Sequence, residues 1–248
     1  MTGASRVNAI DEEHTSIGEK VIPSLSTRLP DIVAIHLKSA WQRPVATHSA
    51  DAFAGIRPRV EASSLPLILD SCCGTGDSTR RIANQFPEAF VLGIDKSAHR
   101  LARHQTGEAD NYAVLRADVN DFWRLAVAAG WRPLRHYLLY PNPYPKASQI
   151  RKRWYGSPAF PALLALGGLL TVRTNWSVYA QEFVLALNLA GFDATNHQIT
   201  GVPAISAFEA KYQERGQILH EVTCDLGAGD LGQGVLERGD RAADSPSA

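Results

Sequence analysis

The chain has few cysteines, no long apolar run and no excess of charge of either sign, and each shortage excludes something. Three cysteines in 248 residues, Cys72, Cys73 and Cys224, are too few for a disulfide framework, and adjacent cysteines rarely pair with each other. The eight histidines show no ligand spacing beside them, so no zinc site or other metal is expected. The thiols read as small, semi-buried side chains. The longest apolar stretch, PALLALGGLL from Pro161 to Leu170, is too short and too broken by glycine to cross a bilayer. The first thirty residues mix polar and charged types without the apolar core of a leader. A soluble, cytoplasmic protein with no membrane partner is the expectation, a monomer by preference. Lys plus Arg and Asp plus Glu both number 25, which leaves no net charge to attract a nucleic acid globally. Any basic surface must be local.

With 45% hydrophobic and 20% charged residues, the chain can bury the core of one α/β-sized domain with appendages. From residue 65 on, β-rich runs alternate with helical patterns. LPLILD (65–70), AFVLGID (89–95), YAVLRAD (112–118), RHYLLY (135–140) and GLLTVRT (168–174) are near-continuous apolar runs, as parallel strands covered on both faces require. Between them, DSTRRIANQF, SAHRLARH, VNDFWRLAVAAG and WSVYAQEFVLALNLAG have helical spacing, the last two stopped by glycine. The alternation predicts a Rossmann-like, doubly wound sheet, mostly parallel, with residues 192–200 and 218–225 supplying closing antiparallel pairing. Residues 1–27 read as a flexible arm, 28–64 as a helix or loop extension on the domain, 65–226 as the catalytic domain, and the Gly/Asp/Ser-rich 227–248 as a disordered tail.

The first strand runs into DSCCGTGD, Asp70 to Asp77. In an open α/β sheet a ligand crevice lies at the carboxyl ends of the strands, where Gly74 and Gly76 let the backbone turn sharply and approach a ligand. A dinucleotide pyrophosphate would prefer a full three-glycine fingerprint and no acid at the strand end. Asp70 suggests a cationic ligand instead, while Asp77 reads as the start of the next helix. The second strand ends at Asp95, placed to take both hydroxyls of a ribose, and the third at Asp118, placed to accept from an adenine amino group. Acids ending three successive strands, with glycines after the first, resemble the S-adenosylmethionine site of class I methyltransferases. Cys72 stands where that family usually has its first glycine.

After the fourth strand comes YPNPYPKASQIRKRW, Tyr140 to Trp154. Three prolines in five residues forbid helix and strand ladder alike and fix a rigid loop at the crevice, where a methyl acceptor would sit. Lys146, Arg151, Lys152 and Arg153 follow with no acid between 141 and 153, a cluster placed to hold phosphates. Here the sequence resembles the tRNA (guanine-N7)-methyltransferase family, whose loop reads Pro-Asp-Pro-Trp-Pro-Lys before a basic stretch. PNPYPK matches it with Asn142 for the acid and Tyr144 for the tryptophan. RTNWSVYA matches the family's Thr-Asp and later Tyr through Thr174, Asn175 and Tyr179, and SAFEAKYQERGQ matches its C-terminal motif through Ser206, Phe208, Glu209, Lys211, Tyr212, Gly216 and Gln217. The resemblance covers about residues 65–225.

That resemblance implies an S-adenosylmethionine-dependent enzyme with tRNA as partner. It puts Asp70, Gly74, Gly76, Asp95, Asp118 and Asn142 on the cofactor side, Asn142 also at the reacting centre. Lys146, Asn175, Ser206, Phe208 and Glu209 fall at guanosine-binding positions, and Arg151, Lys152 and Arg153 are expected on the tRNA backbone. Physically, Glu209 could accept from the Watson–Crick N–H groups of an unstacked guanine. Three alternatives stay open. One is an amino-methyltransferase for adenine or cytosine, although Asn142-Pro143-Tyr144 lacks the second proline of that acceptor loop. Another is a class I methyltransferase for a small molecule or protein. The last is an RNA-binding protein on a decayed scaffold, which the three strand-end acids argue against.

Overall fold

The computed structural model describes residues 25–107 and 109–227. The arm up to residue 24 and the tail from residue 228 lie outside the described residues.

Apolar runs of five or six residues become β1 (Leu67–Ser71), β2 (Phe90–Asp95), β3 (Tyr112–Arg116), β4 (Arg135–Leu139) and β5 (Leu169–Thr174), joined by parallel pairing. Two more strands, β6 (Ala194–Ile199) and β7 (Leu219–Asp225), close the sheet, with β7 antiparallel to both β5 and β6. The order is β3-β2-β1-β4-β5-β7-β6. Every residue of β1 and β2 is buried, as expected of strands covered by helices on both faces. By contrast β6, ATNHQI, buries only Ile199, which suits a polar edge strand.

Helices α3 (Asp77–Gln85), α4 (Ala98–Leu101), α5 (Val119–Ala128), α6 (Phe160–Leu166), α7 (Ser177–Leu189) and α8 (Ala207–Glu214) fill the connections. The extension folds as α1 (Leu29–Lys38) and α2 (Thr47–Ala62). Both helices belong to the main core: Leu29, Ile32, Val33 and Phe53 are buried in the same cluster as Phe122, Trp123, Phe160 and Phe183. Phe53 lies 5.4 Å from Phe122 and 4.8 Å from Trp131 between ring centroids, a favourable aromatic triad under the sheet. No described helix is long and apolar enough to cross a membrane.

The chain reverses direction across the sheet between β1, which is followed by β2 on one side, and β4 on the other. A crevice opens at such a switch point, beyond the carboxyl ends of the strands.

Candidate active site

A cavity of about 770 Å³ lies at that switch point. Its floor is the turn after β1. Cys72, Gly74 and Gly76 all have positive φ (66°, 65° and 78°), and Cys73 N–H anchors the turn to Ile94 O at 3.1 Å. The two glycines serve different ends. A Cβ on Gly74 would meet nothing nearer than Arg100 Nη1 at 3.9 Å, so its bare backbone faces open space. On Gly76 it would strike His104 Nδ1 at 2.6 Å and Val114 Cγ1 at 2.8 Å; that glycine is required by packing and does not line the cavity. His104 Nδ1 donates to Thr75 O at 2.8 Å, bracing the turn from outside.

Asp70 is not a cavity residue, contrary to its expected place beside a cationic ligand. It is fully enclosed, and its Oδ2 accepts from Ser78 Oγ at 2.6 Å and Thr79 Oγ1 at 2.7 Å, tying β1 to the start of α3. Oδ1 is buried without a partner, and burial pushes the carboxyl up to about 6. Asp77 does begin α3, but its carboxylate pairs with Arg80 at 2.8 Å and Arg81 at 2.9 Å instead of capping the helix.

Asp95 stands in the cavity wall with its oxygens already engaged. Gly74 N–H donates to Oδ2 at 3.0 Å and Ser97 N–H to Oδ1 at 2.7 Å, while Arg100 Nη2 reaches Oδ1 at 3.0 Å. Asp118 caps α5, accepting from Asn120 N at 3.0 Å, and also meets Arg43 at 3.1 Å. Its carboxyl sits below the usual range: burial pushes it up, and the Asn120 and Arg43 hydrogen bonds outweigh that. The segment between α1 and α2 supplies this part of the wall, a contribution the sequence did not reveal. Trp41 and Arg43 both line the cavity, and Arg43 and Arg124 lie 4.9 and 5.3 Å from the Trp41 ring centroid.

The opposite wall is the proline loop. Tyr140 and Tyr144 adopt left-handed backbone (φ 51° and 46°), and Asn142 Oδ1 accepts from Tyr144 N at 3.1 Å, bending the loop so that Asn142 is presented to the cavity. Cys72, Tyr140 and Tyr144 are the non-glycine residues with positive φ among those described, and all three line the cavity. Strained backbone collects where a site imposes it.

The basic run divides. Arg151 and Lys152 are exposed and line the cavity. Arg153 does not fit its expected place on an RNA backbone: it is 7% exposed, donates to Tyr144 O at 3.0 Å, and forms an ion pair with Glu182 of α7. It caps the 3-10 turn Ala147–Lys152 with extended backbone, which turns it inward behind the loop. Lys146 is exposed at the start of that turn and is not among the lining residues, so its expected contact with the acceptor base finds no support either.

Two further expectations need correction. Glu209, at 0% exposure, cannot face a guanine edge; its Oε1 accepts from Arg173 at 2.8 Å, and burial raises its carboxyl despite that partner. Asn175 donates to Gln217 Oε1 at 2.8 Å and does not line the cavity. Ser206 and Phe208 do line it, Ser206 as the N-cap of α8 accepting from Glu209 N at 3.1 Å, and Phe208 as a 53% exposed ring.

The cavity thus has a bare glycine backbone at its floor, a buried carboxylate on one side, a proline-fixed amide on the other and an exposed aromatic at its lip. A family profile described as "Putative methyltransferase" matches residues 64–222, the span that builds all of these except the Trp41–Arg43 wall. The chain belongs to this methyltransferase family. Among curated relatives, the tRNA (guanine-N(7)-)-methyltransferase of Methylococcus capsulatus is 27% identical over 202 residues, covering 77% of this chain and 84% of that one. The protein of the same name from Rubrobacter xylanophilus is 25% identical over 186 residues, covering 70% and 82%. Among solved structures, the 16S rRNA methyltransferase KamB is 15% identical with a TM-score of 0.49, covering 74% of this chain and 96% of that one. The fold is that of a class I methyltransferase, a mostly parallel sheet closed by antiparallel β7.

The residues fit S-adenosylmethionine. A volume of about 770 Å³ is ample for a nucleoside joined to an amino acid. Gly74 leaves space where a Cβ would intrude, and Asp95 and Asp118 present acceptors along the same wall.

Proposed function

We propose that this methyltransferase transfers the methyl group of S-adenosylmethionine to N7 of a guanosine in tRNA. Relatives of that name cover most of the chain, and the observation that carries the reading is the proline loop: Asn142 presented to the cavity, with Arg151 and Lys152 exposed at its edge. Those cations suit a polyanionic acceptor. Phe208 offers a face on which an unstacked base can lie.

S-adenosylmethionine supplies an electrophilic sulfonium methyl. Guanine N7 has an in-plane lone pair and no proton, so no residue need act as a base, and Asn142 serves where the related loop has an acid. The protein's contribution is alignment and exclusion of water: Pro141, Pro143 and Pro145 fix the loop, and Arg153 fastens it from behind. Positive charge develops on the purine during transfer, and the Asn142 carbonyl can stabilise it only weakly compared with a carboxylate.

The reading is tested by incubating purified protein with unmodified tRNA and isotopically labelled S-adenosylmethionine, digesting the RNA and identifying labelled nucleosides by mass spectrometry. Labelled 7-methylguanosine is expected. A different labelled nucleoside, or none, overturns it.

A further inference from the structure

The cavity mouth carries a second group of cations outside the proline-loop motif. Lys96, Arg100 and Arg103 follow β2 and line the cavity. Since β2 and β4 lie on opposite sides of β1, these residues stand across the glycine turn from Arg151 and Lys152. Lys96 and Arg103 are exposed, and among the described residues their side chains have no ion pair or hydrogen-bond partner. Three acids share the cavity wall with them, but each is already matched: Asp77 by Arg80 and Arg81, Asp95 by Arg100, Asp118 by Arg43. The uncompensated charge at this lip is positive.

Arg100 differs from its neighbours because it is spent on Asp95. A carboxylate offers about four acceptor positions, two on each oxygen. On Asp95, Oδ1 accepts from Ser97 N–H and Oδ2 from Gly74 N–H, while Arg100 Nη2 stands 3.0 Å from Oδ1 as an ion pair. One position on each oxygen remains for a ribose diol. A hydroxyl that comes to Oδ1 competes with the guanidinium for that oxygen, and at 38% side-chain exposure Arg100 is free to swing outward toward Lys96 and Arg103.

We propose that Lys96, Arg100 and Arg103 form a phosphodiester-binding patch for the RNA acceptor, and that a ribose diol on Asp95 releases Arg100 to complete it. This rests on the function proposed above and extends it: the backbone is gripped from both sides of the cavity, and the methyl donor primes one side. Binding of the two ligands is then mutually reinforcing, each raising the other's affinity by the same factor.

The test measures fluorescence anisotropy of labelled, unmodified tRNA over a range of salt concentrations, with and without saturating S-adenosylhomocysteine, which carries the same ribose. For the wild type, the nucleoside should tighten RNA binding several-fold and steepen the log–log salt slope by about 0.7–0.9, one phosphate contact. Lys96→Ala with Arg103→Ala should lower the slope by about 1.4–1.8 in both conditions. Arg100→Ala should abolish the response to S-adenosylhomocysteine while binding that nucleoside, without RNA, as tightly as the wild type or more so. An unchanged slope in the double variant removes the patch. A full nucleoside response in Arg100→Ala, or loss of nucleoside binding by it, removes the release step. Wild-type protein that binds no tRNA overturns the proposed function itself, whereas wild-type binding with indifferent variants overturns this inference alone. Melting temperatures of the variants, all at solvent-accessible side chains, report that each is folded.

Discussion

Asp70 and His136 sit on neighbouring strands, both fully enclosed, and burial drives their protons in opposite directions. Burial raises the Asp70 carboxyl from 3.8 to about 6 and lowers the His136 imidazole from 6.5 to about 3. A raised carboxyl favours the folded state at low pH, and that stability is lost as pH rises from about 4 to 6. A depressed imidazole favours it at high pH, and that stability is lost as pH falls below 6.5. Between about pH 4 and 6 the two slopes oppose each other and nearly cancel. Asp70→Asn leaves His136 unopposed, so on acidification through this window the variant should lose about 1.4 kcal/mol more stability per pH unit than the wild type, read by urea denaturation at stepped pH. A slope no steeper than that of the wild type would show that Asp70 is not protonated there. Cys72 offers a second test at the same scale. Its left-handed backbone suits glycine, so Cys72→Gly should raise stability by about 1 kcal/mol, measured as a shift in melting temperature. At the reacting centre, Asn142→Asp restores a carboxylate to the presented position and should keep or raise the rate of 7-methylguanosine formation; a large loss would mean that the amide serves another chemistry.

At the scale of elements, the acceptor loop is built from both its ends. Its prolines set the backbone, and Arg153 joins the loop carbonyls to Glu182 on α7, with Tyr155 donating to the same carboxylate at 2.6 Å. Removing one partner of a buried ion pair strands the other, so Arg153→Ala should cost about 3–5 kcal/mol by chemical denaturation. Methyl transfer should fall in Arg153→Ala even at temperatures where the variant is fully folded, because the loop has lost its rear support. Elements were also where the sequence was most legible. All five parallel strands lie within one or two residues of their expected spans, since doubly covered strands leave continuous apolar runs. The extension was harder to read: α2 runs from Thr47 through Pro58 to Ala62 with only Ser49 and Phe53 buried, so neither periodicity nor proline announced it. For the site, the sequence identified residue types in the right loops but not their facing. Arg151, Lys152 and Arg153 are alike in composition, and only the extended backbone at the end of the 3-10 turn separates two exposed cations from a buried one. Glu209 is turned inward by the Ser206 cap and claimed by Arg173 from a strand 36 residues away, a partnership invisible to local pattern.

For the whole molecule, neutrality conceals an uneven surface. The 25 basic and 25 acidic residues balance over the chain, yet Arg151 and Lys152 on one side of the cavity and Lys96 and Arg103 on the other leave its mouth positive. Arg151→Ala with Lys152→Ala should therefore weaken tRNA binding and reduce its salt slope by about 1.4–1.8, with melting temperature little changed; an unaltered slope would remove these residues from the interface. Exposed charges at the mouth are screened within about 8 Å at physiological ionic strength, while the Arg153–Glu182 pair is shielded from solvent. The protein is thus wired on two circuits that respond differently to electrolyte. Brine strong enough to strip the nucleic acid away should leave the catalytic loop in shape, so diluting the salt should restore turnover at once, with no slow recovery of the enzyme.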